Sequence, residues 1–203
     1  MQDKTNLITE AKKFKSAEEF VEGQPKVFHG SGEDFGAFDT SQLGRNTGVK
    51  SANQGVFFSD NKKVAETYAR QALSREQTAL QKEYNTLSAK DASVGVDSRE
   101  ADRLAELQNK LNETYGERIK RIESGKLFVK EKYLNTKNYK VYDAKGNTTL
   151  NLTEGRFGNI VENAKKEGYT GLIVKNVRDT ADKSDIPSTV YAVFDTNTIK
   201  SKL

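Results

Sequence analysis

The segment 62–124 constrains the fold most, because its apolar residues recur at helical spacing while most other positions are charged or polar. In its second half they follow one another every three or four residues: Leu104, Leu107, Leu111, Tyr115, Ile119 and Ile122. In its first half the spacing is less regular, and residues 91–97 separate the two halves. Two helices with narrow apolar seams and a short loop predict an antiparallel helical hairpin.

This hairpin accounts for a composition that is lean in apolar residues, with 34% hydrophobic and 31% charged positions. We therefore expect one domain over residues 1–203, with residues 62–124 as a hairpin inserted into it. The apolar seams can close on each other or on a second chain, which leaves the oligomeric state open and offers a surface to a protein partner.

The rest of the chain predicts a mixed α+β domain. A short strand ends at His29 and Gly30, and another covers residues 55–59, after which Asp60 and Asn61 close the strand and cap a helix that starts near Lys62. Further strands are expected at 126–134, 139–142, 169–177 and 190–194, and helices at 6–13, 16–22 and 155–167. Residues 30–55 contain six glycines among polar residues and predict a long loop.

Several classes of chemistry are excluded by residue type. The chain has no cysteine and one histidine, so it contains no disulfide, and we expect no metal site. No apolar run reaches the length of a membrane helix and no apolar signal segment opens the chain, so a cytoplasmic location without membrane contact is expected. The net charge of +4 is spread along the sequence, so composition does not indicate a nucleic-acid-binding tract.

The single histidine, His29, is the most unusual local feature. It lies at a predicted strand end and is followed by Gly30, Ser31 and Gly32. A glycine at this point lets the backbone approach a planar ligand and present its N–H and C=O groups. The alternative is a hydrogen-bonded histidine with a purely structural role. The glycine-rich segment does not match either common phosphate-binding loop.

Three ordered segments carry a family resemblance: residues 27–31 (VFHGS), 55–69 (GVFFSDN followed by AETYA) and 190–201 (VYAVFD followed by IKS). In order and spacing they resemble the three motif regions of the ADP-ribosyltransferase superfamily, in the branch shared by diphtheria toxin and the poly(ADP-ribose) polymerases. They are most similar to the ADP-ribosyltransferase-like domains of phage and prophage polyvalent proteins. The resemblance implies a fold in which two small antiparallel sheets form an NAD cleft.

The resemblance also implies site residues. His29 would bond a ribose hydroxyl of NAD, Gly30 would hold the nicotinamide amide through its backbone, and Tyr68 would stack on the nicotinamide ring. Phe57 stands where the family usually has a second tyrosine, and Ser31 and Ser59 lie in the first and second motifs. The implied catalytic residues are His29 and Tyr68, and the implied NAD contacts are His29, Gly30, Ser31, Phe57, Ser59 and Tyr68. For the aromatic residues, ordinary core packing is the alternative.

One position departs from the family pattern. The third motif of the family begins with a catalytic glutamate, and Val190 occupies that place. A valine accepts no hydrogen bond. Three explanations compete: a carboxylate from loop 178–189 (Asp179, Asp182 or Asp185) reaches the site, the substrate supplies its own acid or base, or the domain does not catalyse.

The resemblance implies a mono-ADP-ribosyltransferase of the phage or prophage effector or toxin type. NAD would be its substrate, nicotinamide would be released, and the acceptor would be an unknown protein or nucleic acid in the cytoplasm of the host cell, with small molecules also open. One alternative is an NAD glycohydrolase, in which water is the acceptor. Another is a catalytically degenerate module that binds a partner through the helical hairpin.

Overall fold

Secondary structure alternates between short strands and helices throughout the part of the chain that the structure describes. The structure is a computed structural model, and it describes residues 21–43, 53–148 and 156–201 together with Ser16 and Glu19. The strands are β1 (Lys26–Ser31), β2 (Val56–Ser59), β3 (Phe128–Leu134), β4 (Tyr139–Asp143), β5 (Gly171–Arg178), β6 (Pro187–Val193) and β7 (Ile199–Lys200). The α-helices are α1 (Lys62–Gln71), α2 (Arg75–Val94), α3 (Ser98–Glu123) and α4 (Arg156–Lys166), and short 3-10 turns cover Thr40–Gln42 and Thr196–Thr198.

The described strands form one seven-stranded sheet in the order β4-β5-β6-β2-β1-β3-β7. The predicted pair of antiparallel sheets is therefore not confirmed. All neighbouring strands are antiparallel except β4 and β5, which are parallel. The two halves of the sheet meet between β1 and β2, whose register has a single pair, Phe28 with Ser59. One continuous sheet thus has a narrow junction at its centre.

The two faces of this sheet carry separate hydrophobic clusters, because side chains alternate between faces along a strand. On one face, Val174, Val190 and Ala192 pack together with Val161 of α4. On the opposite face, Val27, Phe58, Leu134, Tyr191 and Val193 form the second cluster. The sheet is therefore covered on both sides.

Helix α1 packs directly on β1. Its N-terminus is capped by Asn61, whose side-chain oxygen accepts a hydrogen bond from the Lys63 N–H at 3.0 Å, as the sequence predicts. A Cβ placed on Gly30 would lie 1.9 Å from the Ala65 carbonyl oxygen and 2.7 Å from the Ala69 nitrogen. The helix backbone can come this close only because residue 30 has no side chain.

The predicted hairpin of residues 62–124 is wrong at its start. Residues 62–71 are the separate helix α1 on the sheet, and the hairpin consists of α2 and α3. The division falls at Ser74, whose hydroxyl caps the backbone of Gln77 while the Gln77 side chain bonds back to the Ser74 N–H. This reciprocal cap starts a new helix. Val64 and Tyr68 therefore belong to the helix on the sheet and not to the hairpin.

The hairpin is held by a small apolar seam and by ion pairs between its helices. Leu107 is completely buried, and Lys90 pairs with Glu100. Arg103 holds Glu83 through two parallel hydrogen bonds of 2.7 and 2.9 Å. Asp97 and Glu100 form a capping box at the start of α3. That the hairpin is an insertion relative to other members of the family stays a prediction.

The strands and the helix predicted after residue 125 agree with the structure apart from shifted ends. The four strands expected after residue 125 are present as β3, β4, β5 and β6, and the expected helix 155–167 is α4. Gly168 follows the end of α4, and its φ of 82° lies in the left-handed region that a glycine commonly adopts just after a helix. At the N-terminus, the Ser16 hydroxyl accepts from the Glu19 N–H at 3.1 Å, while the predicted helix 6–13 lies outside the described residues. Within the described ranges, no helix is long and apolar enough to cross a membrane.

The replacement Gly30→Ala should lower the free energy of unfolding by about 1–3 kcal/mol, because the new methyl group overlaps the α1 backbone. Gly116→Ala is the matched control: this glycine lies within α3 with no atom near its Cβ position. Alanine there should stabilise the chain by about 0.5–1 kcal/mol. Urea unfolding measures both. Equal effects of the two replacements would contradict the packing of α1 on Gly30.

Candidate functional site

The candidate site lies where β1 and β2 separate. If their ladder continued beyond the pair of Phe28 and Ser59, the next two pairs would be His29 with Phe58 and Gly30 with Phe57. Instead, the Nδ1 atom of His29 lies 2.8 Å from the carbonyl oxygen of Phe57. A carbonyl oxygen only accepts, so Nδ1 carries the proton and donates it. The histidine side chain therefore holds the two strands at the point where their backbone pairing stops.

The imidazole of His29 lies in an aromatic surrounding. The rings of Phe35, Phe38 and Phe58 are 5.9, 5.1 and 5.5 Å from it, centroid to centroid. Burial lowers the pKa of His29; the hydrogen bond to Phe57 opposes this shift, and the positive charge of Lys130 adds to it. His29 is thus neutral at pH 7. With its proton on Nδ1, its Nε2 is an uncharged hydrogen-bond acceptor.

Tyr68 lies between Ala65 and Ala69 in α1, and the backbone atoms of these two alanines contact Gly30. Its hydroxyl donates a hydrogen bond to the Oδ1 atom of Asp179. Burial first, and then the negative charge of Asp179, raises the pKa of Tyr68 far above its usual value. The phenol therefore keeps its proton. It acts as a hydrogen-bond donor and has no capacity to serve as a base near neutral pH.

Asp179 is buried, and it is the first residue after β5. Its loop is attached to α1 at a second point, where the Ala181 N–H donates to the Thr67 hydroxyl oxygen at 3.0 Å. The same hydroxyl donates to the Val64 carbonyl at 2.8 Å. Two successive residues of α1, Thr67 and Tyr68, thus hold the start of the loop in place.

The other two acidic residues proposed from this loop do not contact the site residues in the structure. Asp182 accepts a hydrogen bond from the Ser184 N–H at 3.0 Å, which closes a local turn. Asp185 forms an ion pair with Arg178 at 2.9 Å. Both side chains are exposed. Of the three carboxylates, the structure brings Asp179 to Tyr68.

The serines and the phenylalanine assigned to NAD contacts have local structural roles. The Ser31 hydroxyl donates to the Glu33 carbonyl at 2.6 Å. The Ser59 hydroxyl accepts from the Asn61 N–H at 3.1 Å, which supports the start of α1. Phe57 packs partly buried against the cluster that contains Val190. Contacts of these three residues with NAD stay a prediction.

Gly30 is explained by packing, because α1 occupies the space of its missing side chain. Its backbone pairs with Val129 of β3 on one side. On the other side, the register between the described parts of β1 and β2 does not include it. A role of this backbone in holding an amide stays a prediction that the geometry allows.

Val190 is a core residue. It is only 3% exposed and lies between Ser59 of β2 and Val174 of β5 in the sheet. Its side chain is apolar and packs among other apolar side chains, so it cannot accept a hydrogen bond from a sugar hydroxyl. Among the described residues, no group of three or more histidine, aspartate or glutamate side chains is arranged to hold a metal ion.

The mixed α+β fold is compatible with one protein family. The family model described as ADP-ribosyltransferase in polyvalent proteins matches residues 21–203, and the chain therefore belongs to this family. The resemblance inferred from the three motif segments is confirmed. ADP-ribosyltransferases use NAD as their substrate. No curated protein and no solved structure shows a significant match to the chain.

The resonance of the single histidine should titrate with a midpoint below the usual value of 6.5, because burial disfavours its charged form. The unfolded chain then binds the proton more readily, so the free energy of unfolding falls as the pH decreases from about 7 through the folded pKa. Proton NMR of the imidazole measures the midpoint. His29→Asn, which keeps a donor for Phe57, should remove this part of the pH dependence. A midpoint at or above 6.5 would contradict the effect of partial burial on the imidazole.

Proposed function

We propose that the chain is an NAD-dependent mono-ADP-ribosyltransferase that transfers ADP-ribose to a macromolecular acceptor and releases nicotinamide. The observation that carries the proposal is the hydrogen bond from Tyr68 to Asp179, made from the turn of α1 that packs against Gly30. An aromatic ring and a buried carboxylate are thus joined beside a strand whose backbone has no β2 partner at Gly30 in the described register. These groups suit a flat cationic ring attached to a sugar.

Each part of the substrate has a matching group. The nicotinamide ring of NAD is an aromatic cation, and the face of Tyr68 provides a π surface for it. The N–H and C=O groups of Gly30 match the carboxamide of nicotinamide, whose oxygen accepts and whose NH2 group donates hydrogen bonds. The Nε2 atom of His29 is an acceptor for a ribose hydroxyl.

The transfer breaks the bond between C1 of the ribose and the nicotinamide nitrogen. The electron pair of that bond stays on nicotinamide, which leaves as a neutral molecule. The acceptor forms the new bond to C1 and loses its proton to solvent. Positive charge develops on the ribose as the first bond breaks, so fixed acceptors and carboxylates near the sugar lower the barrier.

Replacing His29 or Tyr68 tests this function. His29→Ala and Tyr68→Ala should each weaken NAD binding by roughly tenfold and abolish transfer of labelled ADP-ribose from NAD, because each removes a proposed substrate contact. Isothermal titration with NAD and incubation with labelled NAD plus a host lysate provide the readouts. Tyr115→Ala is the matched control, since this tyrosine lies on α3 and is 54% exposed. It should bind NAD as the wild type does.

Equal label transfer by all three variants would refute the proposed site. Label released only as free ADP-ribose, with no modified macromolecule, would identify an NAD glycohydrolase. The proposed acceptor is a protein or a nucleic acid. The proposed setting is a phage or prophage effector or toxin that acts in the cytoplasm of the host, a setting consistent with a family named for polyvalent proteins.

The second candidate is a non-enzymatic module that binds a partner through α2 and α3. Two observations favour it: Val190 is an apolar core residue, and Val94, Tyr115 and Ile119 are exposed on the hairpin. NAD binding without any release of nicotinamide would support this candidate over the transferase. Replacement of Arg75–Glu123 by a short glycine-serine linker should then leave NAD affinity unchanged.

A further inference from the structure

We propose that Asp179 supplies the carboxylate that stabilises the ribose of NAD during transfer, in place of the glutamate that the family resemblance puts at Val190. This inference rests on the proposed function, and it assigns the residue that the reaction lacks. It makes Asp179 a catalytic residue, distinct from its visible role as the acceptor for Tyr68.

The first step is the need for a negative group. Breaking the bond between ribose C1 and nicotinamide leaves positive charge shared by C1 and the ring oxygen, and a carboxylate stabilises such a sugar cation. Val190 cannot provide it, because its side chain is apolar and packed between two neighbouring strands.

The second step is position. Tyr68 is the residue expected to stack on nicotinamide, and its hydroxyl donates to Asp179. The carboxylate therefore lies at the hydroxyl end of the ring surface. The ribose is the group attached to nicotinamide, so it must extend from the rim of the stacked ring. Asp182 and Asp185 are exposed, and among the described residues their hydrogen-bond and ion-pair partners lie in their own loop and its flanking strand.

The third step is preorganisation and charge. Asp179 is 8% exposed, so its interactions are little screened by water. The loop is attached to α1 through Ala181 and Thr67, which fixes the carboxylate before substrate binds. Because Tyr68 keeps its proton, it donates to the carboxylate. No proton is transferred to Asp179 in the proposed step. Its carboxylate accepts a hydrogen bond from a ribose hydroxyl and stabilises the positive charge that develops on the ribose.

The test compares Asp179→Asn with Tyr68→Phe. The asparagine side chain keeps an oxygen that can accept from Tyr68 but loses the charge, whereas Tyr68→Phe keeps the ring and loses the hydrogen bond. Isothermal titration gives the affinity for NAD, and nicotinamide release gives turnover without requiring a macromolecular acceptor. Asp185→Asn is the control for the same chemical change in the same loop.

We expect Asp179→Asn to lower turnover at least a hundredfold while NAD affinity changes less than fivefold. Tyr68→Phe should lower turnover less than tenfold, and Asp185→Asn should match the wild type. Wild-type turnover by Asp179→Asn would overturn the inference and leave the proposed function standing. Equal losses in Asp179→Asn and Tyr68→Phe, with no further loss in the double variant, would also overturn it, because Asp179 would then act only through Tyr68.

A third variant keeps the inference testable if Asp179→Asn does not fold. Asp179→Glu retains the charge on a longer side chain and should keep more turnover than any uncharged replacement at this position. Complete loss of turnover by Asp179→Glu with unchanged NAD affinity would overturn the inference. A wild-type protein that neither binds NAD nor releases nicotinamide would instead refute the proposed function, and with it the role of Asp179.

Discussion

The close approach of helix α1 to strand β1 at Gly30 is the contact on which the rest of the site depends. The carbonyl of Ala65 occupies the space that any side chain at residue 30 would fill. Helix α1 in turn positions Tyr68, and Thr67 and Tyr68 hold the loop that carries Asp179. A single missing side chain therefore determines how three separate segments of the chain meet.

Two polar side chains of the site, His29 and Tyr68, are uncharged, whereas Asp179 of the loop is a carboxylate. His29 is kept neutral by burial, and Tyr68 keeps its proton because burial and Asp179 both disfavour its ionisation. Tyr68 and Asp179 are joined directly by a hydrogen bond, and the turn of α1 that carries Tyr68 packs against Gly30, the residue after His29.

The hairpin is stabilised by different interactions from those of the rest of the domain. Its helices meet through one fully buried leucine, Leu107, and through exposed ion pairs such as that between Arg103 and Glu83. Exposed ion pairs contribute little to stability, so the hairpin depends strongly on its capping boxes and on its attachment to the domain. Arg118 provides part of this attachment by donating to the carbonyl of Arg70 at the end of α1. The solvated helices explain why the whole chain has few apolar residues.

The sequence alone determined what depends on local chemistry: the cap at Asn61, the short strands, and the ordered motifs that identify the family. It did not separate α1 from the hairpin, because a helix on a sheet and a helix in a hairpin both show an apolar seam; the cap at Ser74 was the local signal that distinguishes them. Only the tertiary structure decided that the strands form one sheet, joined at Phe28 and Ser59, where two sheets were expected. The reason is that strand pairing joins residues that are distant in sequence. It also selected Asp179 among three acidic residues of one loop. Burial and contact with a helix 111 residues away distinguish that carboxylate, and local sequence contains neither.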